Sequence, residues 1–442
     1  MTPVMRRRAG RRVWLVGAAI GVLAGSVVIN SNGPGGGTPT PGTANLWVDT
    51  NGGTCTRQGA AGAYVDAQAC SSFSAAASAA SAGDTVRVKA GTYGSQSVTK
   101  TGLTRDSNFD NNIQFIADGG AGSVTVSSLS VGSSSQNTYG AVSFDGFHST
   151  GGPAIEWAKD VRFKNMEAND MTYVSNSQDI KFESYKVQPN GWPSPSSASF
   201  NNGWGFGIAQ QTSGAAATPA NFTWDGVIVR GVRATQAADH PDGVFMYRGG
   251  GVSTSTQWTN FTVRNSLFYN NECINWRFND AQPVTVTFEN NFFDSSVNGI
   301  SGCGYYSISV ASESGTYRNN TIRGGIQVRE GDCAANCGAT RTWRSNIILG
   351  GWSNSGCSDL SGDTWNKNLL DGSNRCSSND TNTTTGAINF VGGSTYPNAM
   401  FVQPSSVAID GGDPGSYPST DYLGTPRPVG SAPDVGAYEY GG

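Results

Sequence analysis

The sequence predicts an all-β solenoid, in which coils of three short strands stack into three parallel sheets around an apolar interior. The first reason is a short pattern that recurs nine times: an apolar residue, a polar or charged one, then Asn, Gly, Ser or Lys. Its copies begin at Phe144, Phe163, Phe182, Trp224, Val263, Phe288, Tyr317, Trp343 and Trp365, 19 to 42 residues apart. Such periods, with insertions of variable length, belong to stacked coils carrying loops. Second, residues alternate within each copy as in half-buried strands. Val161, Phe163, Ile180, Phe182, Phe222 and Trp224 share one face, whereas Arg162, Lys164, Lys181, Glu183, Thr223 and Asp225 share the other. Third, 60 glycines and only 14% charged residues favour strands and turns over helix.

Met1 to about Asn30 reads as an export signal. Arg6, Arg7, Arg8, Arg11 and Arg12 supply the positive region, and Val13 to Ile29 supply the apolar stretch. Arg11-Arg12-Val13-Trp14-Leu15 resembles a twin-arginine signal. A cleaved signal peptide and a retained N-terminal anchor both fit, because the apolar stretch sits at the short limit for spanning a bilayer. Residues 31–44 form a Gly/Pro/Thr linker with nothing to bury, so a single folded domain is expected over 45–442. No later segment is long and apolar enough to cross a membrane. Without the five N-terminal arginines, 28 basic residues become 23 against 32 acidic ones, a balance near −9. That charge argues against nucleic acid as a partner.

Eight cysteines in an exported chain point to disulfides. Cys55 and Cys70 close a short loop, and Cys273 and Cys303 fall in neighbouring repeats. Cys333 and Cys337 share one loop, and Cys357 and Cys376 lie about one repeat apart. Neither of the two histidines lies near a cysteine, which argues against a zinc site.

Each turn residue must accept unusual backbone angles, which Gly and Asn tolerate best. Asn stacked on Asn in successive coils can also hydrogen-bond along the stack. A second apolar run follows each turn: Val227-Ile228-Val229, Leu267-Phe268, Phe292-Phe293 and Ile347-Ile348-Leu349. A third strand often opens with a small residue and an apolar one, as in Gly243-Val244, Cys273-Ile274, Gly299-Ile300 and Gly325-Ile326.

These coils resemble the right-handed, single-stranded parallel β-helix of the pectate-lyase-like superfamily, in its secreted bacterial form. The ends strengthen the resemblance. Leu46-Trp47-Val48-Asp49, the Cys55 and Cys70 pair, the Ala-rich stretch from Phe73 to Ala80 and the run from Gly83 to Tyr93 look like its N-terminal cap and first coils, within 45–100. A short amphipathic helix there would cover the open end of the core. Ala408 to Pro414 and Arg427 to Glu439 look like its closing segment, within 396–440. The resemblance implies saccharide binding along an outward-facing sheet and its loops. In this superfamily many members cleave acidic polysaccharides by elimination, often with calcium; others hydrolyse glycosides, and some only bind or adhere. The catalytic signatures of polygalacturonases and of the main pectate lyase family are absent, so no catalytic residue carries over.

The most concentrated polar segment runs from Asp239 to Arg248. With Val244, Ile274, Ile300 and Ile326 aligned as inward residues, Asp242 falls level with Glu272. Phe245, Asn275, Ser301 and Gln327 then form one outward column, and Tyr247, Arg277 and Arg329 the next. Asp239, Asp242 and Glu272 are the candidate calcium ligands, and Asp242 and Glu272 are also candidate acids or bases. His240, Tyr247 and Arg277 are candidate bases or carboxylate binders, because neutralising a uronate carboxylate acidifies its C5 proton. Phe245, Asn275, Gln327 and Arg329 would contact substrate. So would Trp204, which stands with Trp192, Phe200 and Phe206 in a long aromatic excursion. His148, in an ordinary coil, reads as structural.

A secreted polysaccharide lyase acting on an acidic glycan is the preferred expectation. A glycoside hydrolase using the same carboxylates would place them about 5–5.5 Å apart if retaining. A non-catalytic adhesion or glycan-binding β-helix is the third reading.

Overall fold

In a computed structural model of the chain, the third residue of all nine recurring patterns has a positive φ, from 48° at Ser184 to 87° at Gly146. Asn165, Asn265, Asn290 and Asn319 occupy this bend as the pattern predicts, and Ser184, Ser345 and Lys367 take it as well. The structure describes residues 42–103, 109–133, 139–190, 203–233, 241–249, 252, 257–279, 284–295, 306–329, 339–353, 356–372 and 375–441.

Each bend joins one strand to the next face of a right-handed parallel β-helix. Among the described residues, three parallel sheets contain 12, 12 and 9 strands. Sheet 1 runs from Leu46–Val48 to Thr364–Asn366, sheet 2 from Gly91–Tyr93 to Thr381–Thr383, and sheet 3 from Gln96–Val98 to Ile326–Val328. From Thr85–Lys89 to Ile326–Val328 the chain visits sheets 1, 2 and 3 in that order in each coil.

The first residues of the nine patterns form one inward column of sheet 1, in unbroken register from Phe144 to Trp365. Its C-terminal members stack nearly parallel, with ring centroids 5.0 Å apart for Phe288 and Tyr317, 4.1 Å for Tyr317 and Trp343, and 4.9 Å for Trp343 and Trp365. At the other end the expected capping helix is Phe73–Ala79, opened by a Ser72 hydroxyl that accepts the Ala75 N–H. Its Phe73 ring stacks on Phe115, so the cap continues the aromatic column.

The asparagine ladder forms one residue later than the turn position where it was expected. Ser266, Asn291, Asn320, Asn346 and Asn368 are fully buried directly after their bends. Each Asn Oδ1 accepts the backbone N–H of the same position one coil back, at 3.0 to 3.1 Å. Each Nδ2 donates to a strand carbonyl of sheet 1, at Val263, Phe288, Tyr317 and Trp343. The amide thereby satisfies backbone groups that the bend withdraws from the sheets.

The apolar runs of sheet 2 have two destinations. Phe268, Phe293, Ile322, Ile348 and Leu370 point into the main core. Their neighbours Leu267, Tyr269, Phe292, Ile347, Leu349 and Leu369 pack in separate clusters with Ile388, Met400, Val402, Ala408, Val435 and Ala437. The C-terminal segment therefore does more than close the far end: it lies back along the outside of sheet 2. Asn290 donates to the Thr420 carbonyl, Asn319 to the Asp434 carbonyl, and Ala437 N–H to the Thr321 hydroxyl. Buried Arg427 holds the segment together through Glu439 and the carbonyls of Asp434 and Gly436.

Two expected disulfides are present, Cys55 to Cys70 and Cys357 to Cys376. Cys273 is also disulfide-bonded, whereas Cys303, Cys333 and Cys337 lie outside the described residues. So do the N-terminal signal or anchor, most of the linker, Trp192 and Phe200. Among the described residues no helix is long and apolar enough to cross a membrane.

Candidate functional site

Alternation along sheet 3 buries Val174, Ile208, Val244, Met246 and Trp276 and turns their neighbours outward. The register across this sheet pairs Tyr173, Gly207, Phe245, Arg277, Ser309 and Gln327 in one outward column. The next column carries Glu156, Ser175, Ala209 and Tyr247.

This register corrects the sequence alignment by two residues. Val244 pairs with Trp276, not Ile274, and Trp276 pairs with Ile308; Ile300 and Ser301 lie outside the described residues. The reason is the turn that enters the strand. Asn270 has φ 53°, and the buried Asn271 amide donates to Asn275 Oδ1 and to the Val229 carbonyl. That closed turn consumes Glu272 to Asn275 before the strand Trp276–Phe278 begins. The apolar Ile274 resembles a first inward residue, but Trp276 fills that place.

Several expected neighbours change as a result. Asp242 is level with Ile274 and accepts its N–H at 3.1 Å, so Asp242 and Glu272 are not level with one another. Asn275 leaves the outward column and is buried. Arg277 moves from the Tyr247 column into the Phe245 column. Gln327 keeps its predicted column with Phe245 through Ser309.

On this face Trp204 stacks on Phe245, with centroids 4.4 Å apart, and also lies 5.3 Å from Tyr247. Gly207 makes room for it, since a Cβ there would stand 3.0 Å from the Tyr173 ring and 3.4 Å from Trp204. Exposed Gln211 donates to both the Tyr173 and Tyr247 hydroxyls, at 2.9 and 3.0 Å. Arg277 lies over the Phe245 ring at 5.3 Å, an arrangement favoured by the ring quadrupole. It pairs with Asp242 at 3.3 Å, and Arg277 and Arg329 both donate to Asn279 Oδ1. Burial pushes the Asp242 carboxyl up to about 7 against the attraction of Arg277. Burial, then the hydrogen bond with Tyr173, push the Tyr247 phenol well above its ordinary value.

The structure thus gathers Trp204, Phe245, Tyr247, Arg277, Arg329 and Gln327 on one face and sets Asp242 beneath it. Asp239 and His240 lie outside the described residues. Among the described residues no three His, Cys, Asp or Glu side chains form a group able to hold a metal ion. Both Asp242 oxygens are engaged, one by Ile274 N–H and the other by Arg277. Asp242 is therefore already engaged and is not a free ligand for calcium. Sequence reasoning missed Tyr173, Gln211 and Asn279. Tyr173 follows Thr172 rather than a small opening residue, but its alternation with Val174 marks it as outward.

No protein-family profile matches the chain, and no curated protein matches it. Among solved structures it is similar to pectate lyase Pel9A, at 14% identity and a TM-score of 0.53, with 89% of this chain and 96% of that one covered. XylC in complex with xylose matches at 9% identity and a TM-score of 0.44, covering 89% of this chain and 98% of that one. An alginate lyase from Paenibacillus matches at 12% identity and a TM-score of 0.36, covering 66% and 94%. The similarity to Pel9A shows the fold, a parallel β-helix.

Proposed function

We propose that the protein is a secreted β-helix that binds an acidic polysaccharide along sheet 3 and cleaves it by β-elimination. One observation carries this reading: Trp204, Phe245, Tyr247 and Tyr173 lie beside Arg277 and Arg329 on a single outward face. Pyranose faces stack on aromatic rings, and guanidiniums pair with carboxylates. Secretion is supported by the two disulfides and by the arginine-rich, apolar N-terminus.

In the elimination, the guanidiniums neutralise a uronate carboxylate and acidify the C5 proton. A base removes that proton, its electrons form the C4–C5 double bond, and the C4 glycosidic oxygen departs with its chain. Arg277 is engaged as the carboxylate binder, and the raised Tyr247 phenol supplies little phenolate at neutral pH. His240, directly before Pro241 and Asp242 in sequence, is the better base. Calcium remains a proposed addition through Asp239, and the assay below includes it.

The stacked Trp204, Phe245 and Tyr247 rings beside Arg277 also suit a second reading, glycan binding without cleavage. A glycoside hydrolase is the other enzymatic reading, with Asp242 and Glu272 offset by two residues rather than level on neighbouring strands.

Purified protein incubated with acidic polysaccharides, with calcium or with a chelator, tests the proposal. Products bearing the absorbance of a conjugated double bond are expected, and His240→Ala and Arg277→Ala should each lower the rate at least about a hundredfold. New reducing ends without that absorbance would mean hydrolysis. Binding without products would mean the second reading, and neither binding nor products would contradict both.

A further inference from the structure

The outward face of sheet 3 is not evenly charged. Glu156 stands in the third strand from its N-terminal end, in register with Ser175, Ala209 and Tyr247. The next coils present, among the described residues, Tyr173, Gly207, Trp204, Phe245, Tyr247 and Gln211, none of them an acidic or basic side chain. Arg248, the nearest basic residue there, alternates to the inner side, 8% exposed and over the Trp258 ring. Among the described residues, positive charge on this face begins at Arg277, which pairs with buried Asp242, and continues to Arg329, and both guanidiniums reach the same Asn279 oxygen. Strand spacing of about 4.8 Å puts Glu156 and Arg277, four coils apart, roughly 19 Å from one another.

A polymer lying along this face would pass an anion, then an aromatic platform, then a pair of cations. A chain with a carboxylate on every sugar would set one carboxylate near Glu156 and desolvate others against uncharged rings, both unfavourable. A neutral sugar meets no such penalty on the platform. An acidic sugar is favoured only at the guanidiniums.

Resting on the glycan-binding reading given above, we propose that the ligand is a mixed polysaccharide. Its neutral sugars lie on the Tyr173, Trp204 and Tyr247 platform, and an isolated uronate meets Arg277 and Arg329. Glu156 acts as the residue that excludes polymers charged on every unit.

Dissociation constants of the full chain on immobilised polymers test this. The probes are polygalacturonate, charged on every unit; glucuronoxylan and a polymer with glucuronate spaced along its main chain, both mixed; and unsubstituted xylan, neutral. The mixed polymers should bind at least about tenfold tighter than polygalacturonate and than xylan. Arg277→Gln should erase the advantage of glucuronoxylan over xylan. Glu156→Gln should tighten polygalacturonate severalfold and leave glucuronoxylan unchanged. Polygalacturonate binding as tightly as the mixed polymers, with no effect of Glu156→Gln, would overturn the inference while leaving the acidic-glycan reading intact. Binding to none of the probes would defeat both.

Discussion

Sheets 2 and 3 belong to the same coils, yet their outer faces have opposite fates. On sheet 2, Leu267, Phe292, Ile347 and Leu349 are as buried outside as Phe268, Phe293 and Ile348 are inside, because the C-terminal segment lies on them. On sheet 3, Val244 and Met246 are buried while Phe245 and Tyr247 stay half-exposed. Contiguous apolar strands thus mark the face that the chain covers itself. Alternating strands whose outer residues are aromatic or guanidinium mark the face that stays half-exposed, the one proposed here to meet a partner.

The sharpest way to break this comparison is Phe292→Ala. The side chain is fully buried against Phe401 and Tyr422, so its loss should cost about 3–5 kcal/mol in chemical denaturation. Glycan affinity should stay unchanged below the transition. Trp204→Ala should do the reverse: near-native stability, with about 2 kcal/mol or more lost from binding as read by titration. If Trp204→Ala left affinity intact while Phe292→Ala removed it from a folded protein, the two faces would have been assigned the wrong way round.

Smaller effects sharpen the picture. Asn320→Ala strips a buried amide that serves Asn291 N–H, Asn291 Nδ2 and the Phe288 carbonyl. Denaturation should show a loss of about 1–3 kcal/mol, because those partners stay buried without replacement. A further effect concerns pH. Asp242 has its folded value raised to about 7, so its contribution to stability is present below about 4 and is lost as pH rises through about 7. Asp242→Asn should therefore gain stability relative to the parent as pH rises across that window. Taking the difference between the two proteins cancels the opposite-signed contributions of Asp84, Glu183 and Asp413, whose values are lowered. A difference that is flat with pH would show that Asp242 is ionised throughout.

The coil repeat was legible in the sequence because the bend needs residues that tolerate positive φ, and Asn and Gly announce themselves. The inward column of sheet 1 was legible for the same reason, since each member stands at a fixed distance before its bend. The entrance to sheet 3 was not. No residue type marks where that strand starts, and the Asn271 to Asn275 turn shifted it by two, which displaced Asp242, Glu272, Asn275 and Arg277 together. Gln327 kept its column with Phe245, because Gly325-Ile326 does open its strand as the pattern predicts. Trp204 reaches the site through a stacking contact rather than a strand register, and the aromatic richness of its segment was the only signal available. The covering of sheet 2 was hidden in plain view: Ile347-Ile348-Leu349 breaks the alternation that a half-exposed strand would keep.

A crystal structure of the protein with a bound acidic oligosaccharide tests the central claim most directly. Sugar rings lying over Trp204 and Tyr247, with a carboxylate at Arg277 and Arg329, are predicted. An oligosaccharide seated on the charged ladder of sheet 1 or at a coil end, with the outer face of sheet 3 bare, would contradict it.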